Sequence, residues 1–218
     1  MKHILISVSV LASIILISVI VSCRNNVESY EDFFKKGKTE FYNQNYEAAI
    51  ELFSQTVKIM PKHSGAYAYR GDSYFKCGKI SKALIDYDNS LKYNPKYVRA
   101  LYGKATVKFY IGDYLNSIID LNKTIAANKN HLDAHNKRGL AKFQIGDFYG
   151  ALEDFEQLIK LDSTFAEAYY NKAITLFELS DTAEACLYLY RANYYGFKDS
   201  LYLDKKICSK YWKSFVKN

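Results

Sequence analysis

From Tyr30 onward, small and large apolar positions recur every 34 residues. Five segments align without a gap, beginning at Tyr30, Ser64, Val98, Leu132 and Ala166, and together they cover residues 30–199. The eighth place is small in each: Gly37, Gly71, Ala105, Gly139 and Ala173. So is the twentieth: Ala49, Ala83, Ser117, Ala151 and Ala185. The twenty-fourth is large, as Phe53, Tyr87, Leu121, Phe155 and Leu189. Between the two small places a turn signal stands at the fifteenth, Gly78, Gly112 and Gly146, with Gln44 and Ser180 as substitutes. Pro61 and Pro95 both fall at the thirty-second, outside the helical pattern. Each segment predicts two helices joined by a short turn.

The small residues have a steric reason. Places eight and twenty lie where the two helices of a unit cross, and a side chain larger than methyl would hold them apart. One such unit cannot bury its own apolar face, so stacked neighbours make a continuous core. The period and these positions resemble the tetratricopeptide repeat, a helix-turn-helix unit of this length. The resemblance implies an all-α fold, an α-α superhelix of five repeats over 30–63, 64–97, 98–131, 132–165 and 166–199. The fifth unit would leave one face bare. Residues 200–218 are read as a capping helix and basic tail that cover it, with Leu203, Ile207, Tyr211 and Phe215 recurring every four.

Two places depart from that family's usual pattern. The seventh, usually Leu, is basic throughout: Lys36, Arg70, Lys104, Arg138 and Lys172. The eleventh, usually aromatic, includes Lys108 and Lys142. At about 100° per residue both places fall in the arc that faces the second helix. An unpaired buried cation is costly, and place twenty-three supplies Asp86, Asp120 and Asp154. Ion pairs inside each unit are therefore expected for Arg70, Lys104, Lys108, Arg138 and Lys142. The twelfth place is Phe in all five units: Phe41, Phe75, Phe109, Phe143 and Phe177. Its angle lies between the core and the concave side, so these rings either pack units together or form a partly exposed ladder.

Ahead of the repeats, Lys2 precedes an uncharged apolar run from Ile4 to Ser22. This is the layout of an export signal, and it is also about long enough to span a bilayer. Ile20-Val21-Ser22-Cys23 resembles the lipobox of bacterial lipoproteins. That resemblance implies a signal peptide over 1–22, lipidation of Cys23 and a short tether over 23–29; a retained anchor helix is the competing reading of the run. Either ties the repeats to a membrane outside the cytoplasm. The six residues from Arg24 to Ser29 reach roughly 20 Å, which would hold the array and its partners close to that membrane. Arg24 is not the Asp that retains such lipoproteins at the inner membrane, so the outer membrane is the expected location.

Ten Gly and two Pro in 218 residues are few for an all-β chain, in agreement with helices. Cys77, Cys186 and Cys208 match no zinc or redox spacing. They read as buried free thiols, with a Cys186–Cys208 disulfide as the alternative in an oxidising compartment. His131 and His135 stand four apart, but one falls in an inter-unit loop and the other at a core place, so no metal is expected. No nucleophile motif or glycine-rich phosphate loop is present, so neither enzyme activity nor a cofactor is expected. Of the net charge of +7, residues 198–218 hold +4, from six Lys against two Asp. A basic tail fits lipid headgroups or an acidic partner better than nucleic acid.

In the repeat's family, partners usually lie on the concave surface formed by the first helices. The resemblance marks Phe34, Phe41, Tyr42, Phe75, Arg99, Tyr102, Phe109, Tyr110, Asn136, Phe143, Tyr170 and Phe177 as partner-binding candidates. Some members grip a C-terminal carboxylate with Lys and Asn at places five and nine, a pair absent from the first two units here. What remains is aromatic and mixed in charge, which suits an extended or helical peptide segment of another protein. A small-molecule substrate is not expected. A polysaccharide- or peptidoglycan-binding protein, and a structural lipoprotein with an empty groove, are the alternatives.

Overall fold

The computed structural model describes residues 29–198 together with Cys208, Ser209 and Tyr211. Among these residues stand ten α-helices and no strand. They form five pairs: α1 (Tyr30–Tyr42) with α2 (Tyr46–Ile59), α3 (Ser64–Lys76) with α4 (Ile80–Tyr93), α5 (Val98–Tyr110) with α6 (Tyr114–Ala127), α7 (Leu132–Gln144) with α8 (Phe148–Leu161), and α9 (Ala166–Glu178) with α10 (Thr182–Tyr194). Each helix packs on its neighbours in sequence, and each first helix also touches the next first helix. The first helices therefore line the inside of the stack and the second helices its outside.

Local chemistry sets the helix ends. Ser29 and Asp32 form a capping box on α1. Asp113, Asp147 and Asp181 cap α6, α8 and α10. His63 and His131 do the same for α3 and α7, their Nδ1 atoms accepting from the Ala66 and Ala134 N–H at 2.9 and 3.2 Å. Burial holds the His63 imidazole below its ordinary pKa, which keeps Nδ1 free to accept. Inside each pair the chain turns through one left-handed residue. Gly78, Gly112 and Gly146 take φ of 71, 80 and 81°, and Gln44 and Ser180 hold the same region at 65° without glycine's freedom.

At the crossing of each pair the two side chains trade volume. Where place twenty-four is aromatic, place eight is glycine: Gly37 meets Phe53, Gly71 meets Tyr87 and Gly139 meets Phe155. Where it is Leu121 or Leu189, place eight is Ala105 or Ala173. A methyl on Gly37 or Gly139 would stand 2.7 Å from the facing ring. The large residues at this place are all buried, so they form the spine of the array.

Ion pairs tie the layers together. Arg70 grips Asp86 with Nε at 2.7 Å and Nη2 at 2.9 Å. Lys108 meets Asp120 at 2.6 Å, and Lys142 and Arg138 converge on Asp154, at 2.9 Å for the lysine. One expectation is corrected: Lys104 leaves Asp120 to Lys108 and instead meets Asp88 of the preceding unit at 2.5 Å. The same backward reach recurs. Arg70 donates to Ser54 at 3.0 Å, Arg138 to Asn122 at 2.7 Å and Lys172 to Glu156 at 2.7 Å, each partner sixteen residues earlier. Arginine has a forked head and serves both units; lysine has one ammonium, and in both cases it finds a carboxylate behind it.

The cysteines need a second correction. Cys186 and Cys208 are joined in a disulfide, with Cα atoms 5.4 Å apart, rather than lying as free thiols. Cys77 is free. The bridge brings Cys208 and Tyr211 against Ala173, Cys186 and Leu189 of the last pair, which covers part of the face that the fifth unit would leave bare. The capping helix expected from residue 200 otherwise lies outside the described residues, as do Cys23 and the segment before it.

Candidate functional site

Among the described residues the concave side shows a larger and a smaller hollow. The larger, of about 530 Å³, lies against α3 and α5 and reaches α1 and the start of α7; Phe41, Asp72, Phe75, Arg99, Tyr102 and Asp133 are among its walls. The smaller, of about 140 Å³, lies between α7 and α9 beside Phe143, Tyr170, Asn171 and Ile174.

A fixed polar knot forms one wall of the larger hollow. Arg99 Nε lies 2.5 Å from Asp72 Oδ2, and its guanidinium stacks 3.6 Å from the centre of the Tyr69 ring. Tyr87, at a core place of α4, donates its hydroxyl to Asp72 Oδ1 at 2.6 Å. Burial raises the Asp72 carboxyl pKa while Arg99 pulls the other way. The pair neutralises itself, so Arg99 offers little free charge to a ligand, but its position is set from three sides, by Asp72, by the Tyr69 ring and by the Phe41 ring 5.2 Å away.

Beside this wall lies a cation outside any ion pair among the described residues. Lys137, on α7, holds its ammonium 5.1 Å from the Phe109 ring centre and 5.8 Å from that of Tyr102. It makes no salt bridge or hydrogen bond among the described residues. Burial lowers its pKa, against the pull of the more distant Asp133 and Glu167. Tyr102 rests on the His131 ring at 4.7 Å, and burial pushes its phenol up to about 12. Toward the smaller hollow, Asn136 donates to Glu167 at 2.9 Å and accepts from Asn171 at 3.0 Å. Both ends of its amide are thereby engaged. Tyr170 packs on Phe197 at 4.5 Å.

The other candidates separate by role. Phe34 sits among Phe53, His63 and Tyr69, packing the first unit on the second. All five place-twelve rings are half-buried. Phe41, Phe109 and Phe143 lie edge-on to Tyr46, Tyr114 and Phe148 of their own units, and Phe75 meets Tyr110 of the next. Phe177 joins the cluster around the disulfide. These rings thus do part of both expected tasks. Tyr42 and Tyr110 are 65% and 71% exposed and line neither hollow.

Tetratricopeptide-repeat family models match residues 34–89 and 139–180. The chain carries tetratricopeptide repeats. Its fold is shared by MamA, at 22% identity and a TM-score of 0.69 over 75% of this chain and 96% of that one. It is shared by YrrB, described as a TPR protein with an unusual peptide-binding site, at 18% identity and a TM-score of 0.70 over 85% of this chain and 97% of that one. MamA of Desulfovibrio magneticus RS-1 aligns at 16% identity and a TM-score of 0.71 over 78% of this chain and 96% of that one. No curated protein matches the sequence.

The array has a walled concave face. Three of its groove residues escape a reading by repeat place. Tyr87 belongs to the spine, yet its hydroxyl reaches the groove wall. Lys137 and Asn171 hold place six, beside the places usually counted as concave. The one available signal was the alternation of charge and amide at places two and six of units four and five, Asp133, Lys137, Glu167 and Asn171. Among the described residues no group of His, Cys, Asp or Glu gathers as a metal site, and no helix is long and apolar enough to cross a membrane.

Proposed function

We propose that this TPR protein is a lipid-anchored scaffold of the bacterial cell envelope whose concave groove binds a peptide segment of a membrane-associated protein. The observation that carries this reading is the larger hollow, walled by Tyr102, Phe41 and Phe75 and stiffened by the Arg99–Asp72 pair. Rigid rings give contact area at small entropic cost. Lys137, poised over Tyr102 and Phe109 and outside any salt bridge among the described residues, suits a carboxylate on that segment, from an acidic side chain or a chain end. The peptide-binding site ascribed to YrrB supports the same use of the fold. Cys23 after its lipobox supports the anchor, and the Cys186–Cys208 disulfide fits an oxidising compartment outside the cytoplasm.

Affinity capture from detergent-solubilised membranes tests the groove. A protein partner held by the wild type and lost from Tyr102→Ala and Lys137→Ala, with helicity by circular dichroism unchanged, is the expected result. Equal capture by both variants would reject the groove as the site, and capture of glycan without protein would favour a polysaccharide binder. Radioactive fatty acid tests the anchor: label should enter the wild type and be absent from Cys23→Ser.

A further inference from the structure

The outer face of the array changes character in its middle. Places eighteen and twenty-two point outward on each second helix, and in the first unit both are acidic, Glu47 and Glu51. On α6 they are Leu115 and Ile119, 66% and 51% exposed. Ile85 on α4 and Tyr149 on α8 extend the same two rows, at 60% and 74% exposed. Four large apolar side chains thus share one outward surface over three successive units. None lines either concave hollow. A shared apolar surface of this kind marks a contact site.

The rim says what covers it. Toward the second unit stand exposed Lys79 and Lys82; toward the fourth stand exposed Asp147 and Glu153. Lys79 and Glu153 enter no salt bridge among the described residues. A surface basic at one edge, apolar in the middle and acidic at the other is complementary to itself after a half-turn. An anionic membrane would be opposed by Asp147 and Glu153.

We propose that this outer face is a two-fold interface with a second copy of the chain. The axis passes through α6, so Leu115 and Ile119 meet their own counterparts, and Lys82 of one copy faces Glu153 of the other. The concave grooves stay open on the two far sides of the dimer. Neither the groove's ligand nor the lipid anchor is needed for this contact.

The test uses the full chain in detergent micelles with Cys23→Ser and Cys77→Ser as background, so that neither the anchor cysteine nor the free thiol can cross-link. With Ile119→Cys added, mild oxidation should yield a covalent species of twice 25.1 kDa that reductant dissolves; without it, none should form. In sedimentation, Ile119→Asp and Glu153→Lys should each weaken self-association about tenfold or more, and Lys82→Glu with Glu153→Lys should recover it. These positions are exposed, and circular dichroism confirms that each variant is folded. A wild type that sediments as a monomer and gives no Ile119→Cys dimer would overturn the proposal. So would an Ile119→Asp that leaves the mass unchanged but abolishes binding to phosphatidylglycerol vesicles, or an Ile119→Cys that cross-links only to a different protein.

Discussion

Lys104 reaches back across a unit boundary to Asp88, with Nζ 2.5 Å from Oδ1. In units two to five the seventh place always finds the twenty-fifth of the unit before, and the chemistry of the two places is matched. Lysine meets a carboxylate, Asp88 or Glu156; arginine, already holding an Asp of its own unit, meets a neutral oxygen, Ser54 or Asn122. Each seventh-place cation of units two to five thus meets a carboxylate, Asp86, Asp88, Asp154 or Glu156, which keeps it from being stranded.

That rule can be rewritten at the boundary between units three and four. Arg138→Lys leaves a single ammonium for both Asn122 and Asp154, and should lower stability by about 1–2 kcal/mol. Adding Asn122→Asp recreates the arrangement of Lys104 and Asp88, while Lys142 keeps Asp154. Thermal melts should show the second substitution recovering much of the loss. A double variant no more stable than the single one would mean that the backward reach carries no energy.

The volume trade at the helix crossing gives an equally direct test. Gly139→Ala gains about 1 kcal/mol of helix propensity, but its methyl would stand 2.7 Å from Phe155 Cε1. Overpacking of that kind costs about 1–3 kcal/mol, so a net loss is expected on denaturant titration. In a Phe155→Leu background the same alanine should stabilise, because Ala105 with Leu121 and Ala173 with Leu189 already pack that way.

These two cases show where the chain was legible. The 34-residue period is written by sterics: each crossing demands a small residue, and an aromatic partner demands a glycine. Pairing inside a unit was readable because a helical wheel brings places seven and twenty-three together. The backward contact was not, since a wheel of one unit contains no neighbour, and place twenty-five varies among Ser, Asp, Asn and Glu. Tyr87 was assigned to the core correctly, but nothing in its spacing tells that its hydroxyl emerges at Asp72. The disulfide depends on Cys208 meeting Cys186 of α10, a pairing that the 34-residue period does not encode.

Gln44 and Ser180 occupy left-handed backbone that costs an ordinary residue about 1 kcal/mol or more. Glycine relieves that strain but loses about 0.5–1 kcal/mol of unfolded-chain entropy. Gln44→Gly and Ser180→Gly should therefore each raise the melting temperature slightly, while Gly146→Ala, at φ 81°, should lower it. Melting temperatures of the three variants check the sign.

The Cys186–Cys208 bridge closes a segment of 22 residues, worth about 3 kcal/mol by restriction of the unfolded chain. In a stacked array that effect stays local. Reduction, or Cys208→Ala, should speed amide hydrogen exchange in α9 and α10 and leave α3 to α6 nearly unchanged. Uniform acceleration along the chain would mean that the array opens as one unit.

Asp154 should make the fold sensitive to acid. Burial works against its ionisation, yet the neighbouring His135, Arg138 and Lys142 prevail and hold the carboxyl at about 2, below its ordinary 3.8. Because the folded form gives up this proton more readily than the unfolded chain, the stabilisation is complete above about pH 4. It drains away as pH falls toward 2, by about 2 kcal/mol in all. Asp154→Asn should cost about 3 kcal/mol or more near neutrality, since Arg138 and Lys142 would be left half-buried around a neutral amide. Its stability should also fall less steeply than the wild type's between pH 4 and 2. Two parallel curves through that window would place the acid sensitivity in other carboxylates and leave the Arg138–Asp154–Lys142 cluster a contact without a titration.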